Sequence, residues 1–208
     1  MNTDQPTSRQ VIADLTNTFI ADTGDLDRLH SNLIERADAA GILDVAYRTM
    51  DSPLGTLLIA ATPSGVVRIA FEREDHDQVL NTLATTVSER MLRSGRRTDD
   101  VARQLDEYFA GQRRSFDLPV DLQLVTGFRH TVISQLGDIG YGATASYRVV
   151  AELVGNPAAV RAVGSACSHN PVPLVMPCHR VVRSDGTIGQ YVGGSDAKAT
   201  LLDMEATQ

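Results

Sequence analysis

The chain has 208 residues, 42% hydrophobic and 22% charged, with a net charge of −7, which suits one or two small domains with a sizeable core and excludes a wholly disordered chain. No apolar run approaches membrane-spanning length, and the polar start MNTDQPTSRQ lacks the basic-then-apolar order of an export signal, so a cytoplasmic protein without membrane contact is expected. Two cysteines, Cys167 and Cys178, eleven residues apart, form neither a disulfide framework nor a zinc spacing, so no metal and no cofactor are expected.

Residues 1–44 carry eight acids against three arginines and form an acidic extension. Helical spacing in Val11, Ile12, Leu15, Phe19 and again in Leu26, Leu29, Leu33, Ile34, split by Asp22-Thr23-Gly24, predicts a helical hairpin. A docking surface, a lid and a stabilising annex all stay open for it. From Val45 the period changes to that of strands. Residues 45–50, 55–61 and 66–72 are rich in β-branched and small apolar side chains, broken by turn chemistry at Asp51–Gly55 and Thr62–Gly65, and predict an antiparallel meander. Helical spacing returns in Val79, Leu80, Leu83, Val87 and in Val101, Leu105, Tyr108, Phe109, across a polar break at Ser94–Asp99. Phe116–Val120 reads as a last strand or an extended linker. Residues 45–122 show no nucleophile, metal cluster or phosphate loop, so this α+β domain is expected to be a scaffold.

A composition shift over Pro119–Gly127 opens a third region, residues 123–208. A helix over 128–136 and a glycine-rich turn (Gly137, Gly140, Gly142) precede two short helices. Ser146 is the N-cap of the first, Tyr147–Val154, with Val150, Leu153 and Val154 inward. Asn156 caps the second, residues 157–169, with Pro157 at its first position. Val160, Val163, Gly164 and Cys167 share its inward face, which makes Cys167 structural, while Arg161, Ser165 and Ser168 turn outward. Such a pair suits a helix-turn-helix, as it suits any αα-hairpin. Its outward face is slim, with Ala162, Ser165 and Ala166 around Arg161, and can approach a nucleic-acid backbone closely. The acidic total argues weakly against nucleic acid, yet residues 128–183 hold Arg129, Arg148, Arg161, Arg180 and Arg183 against Asp138 and Glu152.

Next comes NPVPLVMPCHR, residues 170–180. Pro171, Pro173 and Pro177 remove donors and fix φ, which excludes a helix interior or central strand and predicts a stiff extended loop. It ends on Cys178 and His179. A thiol beside an imidazole suits nucleophilic sulfur chemistry, because only the thiolate attacks; a buried inert cysteine before a core histidine is the plain alternative. Val181–Arg183, the turn Ser184-Asp185-Gly186 and a returning Thr187–Tyr191 read as a hairpin. After Gly193-Gly194, Ser195 or Asp196 starts a terminal helix with Leu201 and Leu202 inward. Glu205 in its last turn either orients His179 as the third member of a triad or is a solvated charge.

The segments GATASY (142–147), GNPAAVRAVG (155–164), NPVPLVMPCHRVV (170–182), SDGTIGQYVGG (184–194) and Lys198 with LLDMEA (201–206) closely resemble the O6-alkylguanine-DNA alkyltransferases, or methylated-DNA–protein-cysteine methyltransferases. SPLGTLLIAATPSGVVRIAF (52–71) is a weaker match to that family's N-terminal sheet. The resemblance implies an α+β fold: a small antiparallel-sheet domain, then a mostly helical winged helix-turn-helix domain. It also implies direct-reversal repair by a single-turnover S-methyltransferase, a monomer that moves the alkyl group from O6-alkylguanine in double-stranded DNA irreversibly to Cys178. O4-alkylthymine is a further candidate lesion. Chemistry on a base inside a duplex requires the nucleotide to be flipped out. By similarity the second short helix enters the minor groove, with Arg161 filling the gap in the stack and Ala162 and Ser165 at the DNA. Tyr147 would crowd the extruded nucleotide's phosphate and donate to the ring nitrogen. In the implied relay Glu205 holds His179, His179 takes the thiol proton through a water, and Cys178 attacks the alkyl carbon. Asn170 would brace the active-site turn, Pro173 and Tyr191 wall the base, and Arg180 anchor the loop. The Val181 carbonyl would accept from the exocyclic amine, and the Val192 amide would meet O6.

Three positions depart from the family pattern: Ala143 where many members carry Glu, Ile133 where many carry Trp, and Val192 where Ser is usual. They bear on efficiency and substrate range rather than on reaction type. Two rival functions remain. A lesion-recognising protein that does not repair is disfavoured by the set Cys178, His179 and Glu205, and a Cys–His hydrolase lacks an oxyanion signature.

Overall fold

The computed structural model describes residues 23–207. The chain divides into two compact units, one ending at Leu43 and the other starting at Asp44. Of the first unit, helix α1 (Thr23–Ala39) is described. Its Leu26, Leu29 and Leu33 are exposed. The helix predicted over Val11–Phe19 lies outside the described residues.

The second unit begins with the meander. Strands β1 (Val45–Met50), β2 (Leu57–Thr62) and β3 (Gly65–Phe71) pair antiparallel in sequence order. Strand β2 is buried along its whole length, because both faces are covered. Leu58 and Ala60 face a core with Val79 and Leu83 of α2 (His76–Thr86). Leu57 and Ile59 face a larger core with Val101, Leu105 and Tyr108 of α3 (Asp99–Phe109). Period-2 alternation thus serves two apolar layers rather than one wet and one dry face. Truncating a residue such as Leu105 to Ala would cost about 2–5 kcal/mol.

A short fourth strand, β4 (Met91–Arg93), joins the sheet parallel to β1, giving the order β3-β2-β1-β4. The sheet is therefore mixed, where an antiparallel one was expected. Three residues, two half-buried and one exposed, have no readable period, and the pairing is steadied from outside them: the Asp44 carboxylate takes Arg90 at 2.7 Å and the Ser88 hydroxyl at 2.6 Å. Phe116–Val120 is the extended linker, hydrogen-bonded to the sheet at a Val66–Val120 bridge and packed against the larger core through Phe116, Leu118 and Val120. Gly65 is required there: its φ is +139°, and a Cβ would stand 2.3 Å from the Pro119 carbonyl oxygen.

Helices α4 (Gly127–Leu136), α5 (Tyr147–Leu153) and α6 (Val160–Ser168) share the larger core through Val132, Ile133, Leu136, Val150, Val163 and Cys167. The Ser146 hydroxyl caps α5 by accepting from the Val149 amide at 3.2 Å, as expected. Helix α6 starts later than predicted. Asn156–Ala159 first closes a turn (Ala159 N to Asn156 O, 2.9 Å), so Ala159 occupies the N-cap position and neither Asn156 nor Pro157 starts the helix. Leu153, expected inward, is 56% exposed, and Ala166, expected outward, is 1% exposed.

Residues 170–177 are not extended. They coil into compact turns, with Met176 N to Val172 O at 2.9 Å and Leu174 at φ +73°, and lead into a 3₁₀ turn, Cys178–Arg180. The prolines exclude regular structure, as expected, but permit tight turns as readily as extension. The predicted hairpin is also replaced. Strand β6 (Val181–Val182) pairs parallel with β5 (Ala145–Ser146), and the wing is a turn closed by Arg183 N to Thr187 O at 3.0 Å. Helix α7 (Ser195–Ala206) buries Leu201 and half-buries Leu202. Among the described residues no helix is long and apolar enough to cross a membrane.

Candidate active site and nucleic-acid interface

Cys178 opens the 3₁₀ turn after the proline loop and is 1% exposed. Asn170, at the other end of that loop, donates through Nδ2 to Sγ (3.2 Å) and to the Met176 carbonyl (2.7 Å), while its Oδ1 accepts from the Val172 amide (3.0 Å). Burial pushes the Cys178 thiol up to about 11, against the Asn170 hydrogen bond and the Lys198 charge, which favour the thiolate. At neutral pH only about one thiol in 10⁴ is then ionised. Attack therefore needs a base.

His179 follows directly and is fully buried. Its Nε2 meets Glu205 Oε1 at 3.0 Å. A carboxylate only accepts, so Nε2 carries the proton and Nδ1 presents its lone pair. Nδ1 is buried with no protein hydrogen-bond partner. Burial depresses the His179 pKa, partly offset by Glu205, and so keeps the imidazole neutral and basic at Nδ1. Among the described residues no hydrogen bond joins His179 directly to Cys178.

Glu205 gathers more donors than sequence alone shows. Arg180 grips it through Nε (2.9 Å to Oε2) and Nη2 (2.8 Å to Oε1), the Tyr108 hydroxyl donates at 2.7 Å, and the Gly142 amide at 3.1 Å. Arg180 also donates to the Ile139 carbonyl at 2.6 Å. Burial opposes the charge, but the bonds from His179 and Arg180 hold the Glu205 carboxyl well below the usual range. Tyr108 reads in the sequence as one more core residue of α3; the sole hint of a role is that a buried phenol needs a partner.

On the outer side, Tyr147, Arg161, Gly164, Ser165, Arg183, Gly189 and Gln190 line a cavity of about 430 Å³. Helix α6 supplies the small residues and the exposed Arg161. Tyr147, the first residue of α5, packs against Gly189, where a Cβ would stand 2.3 Å from the phenol oxygen. Burial, then the nearby Cys167 and Cys178, push the Tyr147 phenol up to about 12, so it remains a donor. Lys198 is fully buried, lies 5.8 Å from the Tyr147 ring centroid and donates to the Val181 carbonyl. The Val181 carbonyl is thus held by a buried cation within the β5–β6 pair. The Tyr191 ring stands edge-on 6.2 Å from His179, its hydroxyl buried without a partner.

The remaining predicted residues are more scattered. Pro173 is buried in the loop, and Ala162 is exposed on α6 beside Arg161. Val192 lines a different cavity, of about 420 Å³, with Arg68, Asn170 and Pro171. Ile133 is wholly buried and Ala143 exposed. Among the described residues no cluster of three or more His, Cys, Asp or Glu can hold a metal ion.

Comparison with known proteins bears on this arrangement directly. Residues 45–122 match the family model described as 6-O-methylguanine DNA methyltransferase, ribonuclease-like domain, and residues 127–207 match that family's DNA binding domain. This chain belongs to the 6-O-methylguanine DNA methyltransferase family. A methylated-DNA–protein-cysteine methyltransferase of Mycolicibacterium paratuberculosis is 38% identical over 161 residues, which cover 77% of this chain and 92% of the relative. The O6-methylguanine methyltransferase of Mycobacterium tuberculosis superposes with a TM-score of 0.68 at 35% identity, covering 78% of this chain and 93% of that one. A structure of Mycobacterium tuberculosis OGT in complex with DNA matches at TM-score 0.67 and 34% identity, covering the same shares of both chains. Within the family's DNA binding domain lie all thirteen residues to which the resemblance gives a role, whereas Tyr108 comes from the other half.

Proposed function

We propose that this protein repairs DNA by transferring the alkyl group of O6-alkylguanine irreversibly to the Cys178 sulfur. The observation that carries the residue assignment is the His179–Glu205 hydrogen bond, which leaves an unpartnered basic Nδ1 on the residue that follows a buried thiol too weakly acidic to ionise alone. The geometry suits a relay in which a water bridges Nδ1 and the thiol, so that the proton leaves as sulfur attacks. The S–C bond forms, the C–O6 bond breaks with its electron pair going to the base, and the Tyr147 phenol returns a proton to the guanine ring nitrogen. Glu205, ionised and held by Arg180, Tyr108 and Gly142, stabilises the imidazolium that results.

Recognition belongs to the outer cavity. The lesion is turned out of the duplex towards Tyr147 and Gly189, while Arg161 fills the stack from the slim face of α6, where Ala162 and Ser165 meet the groove; Tyr191 and Pro173, buried and outside that cavity's lining, keep their part as walls from the family resemblance alone. The acceptor thiol must stay reduced, which is why we place the protein in the cytoplasm.

Incubation with a duplex carrying O6-methylguanine tests this reading. Intact mass should rise by about 14 Da, one CH₂, with peptide mapping to Cys178 and uptake ending at one equivalent. Tight lesion binding without an adduct would identify a recognition protein instead.

A further inference from the structure

The start of the acceptor loop is fastened to the scaffold sheet, and a charge takes part in the fastening. Strand β3 lies at the sheet edge, where its Ile69 amide donates to the Pro171 carbonyl at 2.9 Å. Arg68, the preceding residue, donates through Nη1 to the carbonyls of Asn170 (3.4 Å) and Pro171 (3.3 Å). Its Nη2 is paired with Glu74, and both side chains are only 16% exposed. Glu74 in turn accepts from the Phe71 amide at 2.9 Å, so the turn after β3 fixes the carboxylate and the carboxylate fixes the guanidinium.

The planar fork of arginine suits this arrangement, meeting a carboxylate with one arm and carbonyl dipoles with the other. One of those carbonyls belongs to the residue whose side-chain amide touches the acceptor sulfur at 3.2 Å. Rotation of the Asn170 main chain would have to break the Arg68 contact. A shift of about 1 Å at Asn170 would carry Nδ2 out of hydrogen-bond range of Sγ.

We propose that Arg68 is a positioning residue for alkyl transfer: through the main chain of Asn170 it holds the Asn170 amide against the Cys178 sulfur. This rests on Cys178 being the acceptor. Arg68 borders the 420 Å³ cavity and is absent from the lining of the outer one, and it bonds Glu74 and two main-chain carbonyls, so it acts through the loop. That open side also lets a shorter side chain be replaced by water, and variants at 68 should fold.

The test compares the parent with Arg68→Met and Arg68→Lys, using single-turnover transfer from a saturating O6-methylguanine duplex, affinity for the unmodified duplex and final alkyl uptake per protein. Arg68→Met should transfer about tenfold more slowly while keeping parental affinity and one-equivalent uptake. Arg68→Lys, which keeps a cationic donor for the carbonyls, should recover part of the rate. Parental speed in Arg68→Met, loss of affinity in proportion to rate, reduced uptake, or a lysine variant no faster than the methionine variant would each overturn the proposal. A parent that takes no alkyl group on Cys178 would instead overturn the acceptor assignment beneath it.

Discussion

A carboxylate with 1% of its side chain exposed pays several kcal/mol in desolvation and stays ionised only when donors surround it. Glu205 has such donors in His179, Arg180, Tyr108 and Gly142. Burial works to raise its pKa, and the hydrogen bonds from His179 and Arg180 take it below the ordinary 4.5. A folded-state pKa below the unfolded one means stabilisation that is complete above the unfolded value and lost as pH falls towards the folded one. Glu205→Gln should therefore cost about 3–5 kcal/mol near pH 7, because Arg180 is left buried without its counter-charge. The deficit should stay constant down to about pH 5 and then shrink by about 1.4 kcal/mol per unit, as the parent too becomes neutral there in its unfolded state. Urea unfolding of both proteins at several pH values measures this, and a deficit unchanged at about pH 3.5 would contradict it. The same substitution should slow alkyl transfer, since His179 would lose the charge that stabilises its protonated form.

The glycine-bearing loop after β6 and the start of α5 meet at one contact, Gly189 against the Tyr147 phenol, where an added Cβ would stand 2.3 Å from oxygen and 2.9 Å from a ring carbon. Gly189→Ala should push Tyr147 off this position at little cost in stability, because the obstacle is the far end of a side chain at a cavity edge. Transfer from duplex DNA should fall by about tenfold or more with melting shifted by only a few degrees; equal rates would show that Tyr147 is not placed by this loop. Elements with strong local signals were legible in the sequence: the meander of β1 to β3, the Ser146 cap and the buried face of α6 through Val163 and Cys167. Those set by contacts distant in the chain were not. Strand β4 is too short to show a period, the start of α6 is decided by the Asn156–Ala159 turn, and three prolines cannot distinguish an extended loop from a coiled one. In the site, the His179–Glu205 pair and the bracing of the active-site turn by Asn170 follow from the family resemblance, while the contact of Asn170 with the Cys178 sulfur does not. Tyr108 and Arg68 do not, since each acts across about a hundred residues (|i−j| of 97 and 102) from a position whose local pattern says only helix or strand.

At the scale of the molecule, charge and unit boundaries coincide. The first compact unit ends at Leu43 and the family match begins at residue 45, while residues 1–43 contain seven acids and three arginines. A relative aligned over 92% of its own length leaves 23% of this chain unmatched, and the acidic extension accounts for most of that remainder. A chain starting at Asp44 retains the sheet, both cores and every residue assigned to the acceptor relay, so it should fold and take up one alkyl group per molecule. It should also bind DNA more tightly. A polyanion repels net negative charge, and deleting the extension removes four net negative charges while leaving Arg161 and Arg183 at the outer cavity. The gain expected is about two- to tenfold at low salt, closing as added salt shortens the Debye length to about 3 Å near 1 M. Titration of full-length and shortened protein with the same unmodified duplex across a salt series decides the matter. Weaker binding on deletion would mean that the extension supplies DNA contacts of its own, and a gain unaffected by salt would mean that it obstructs the cavity sterically rather than by charge.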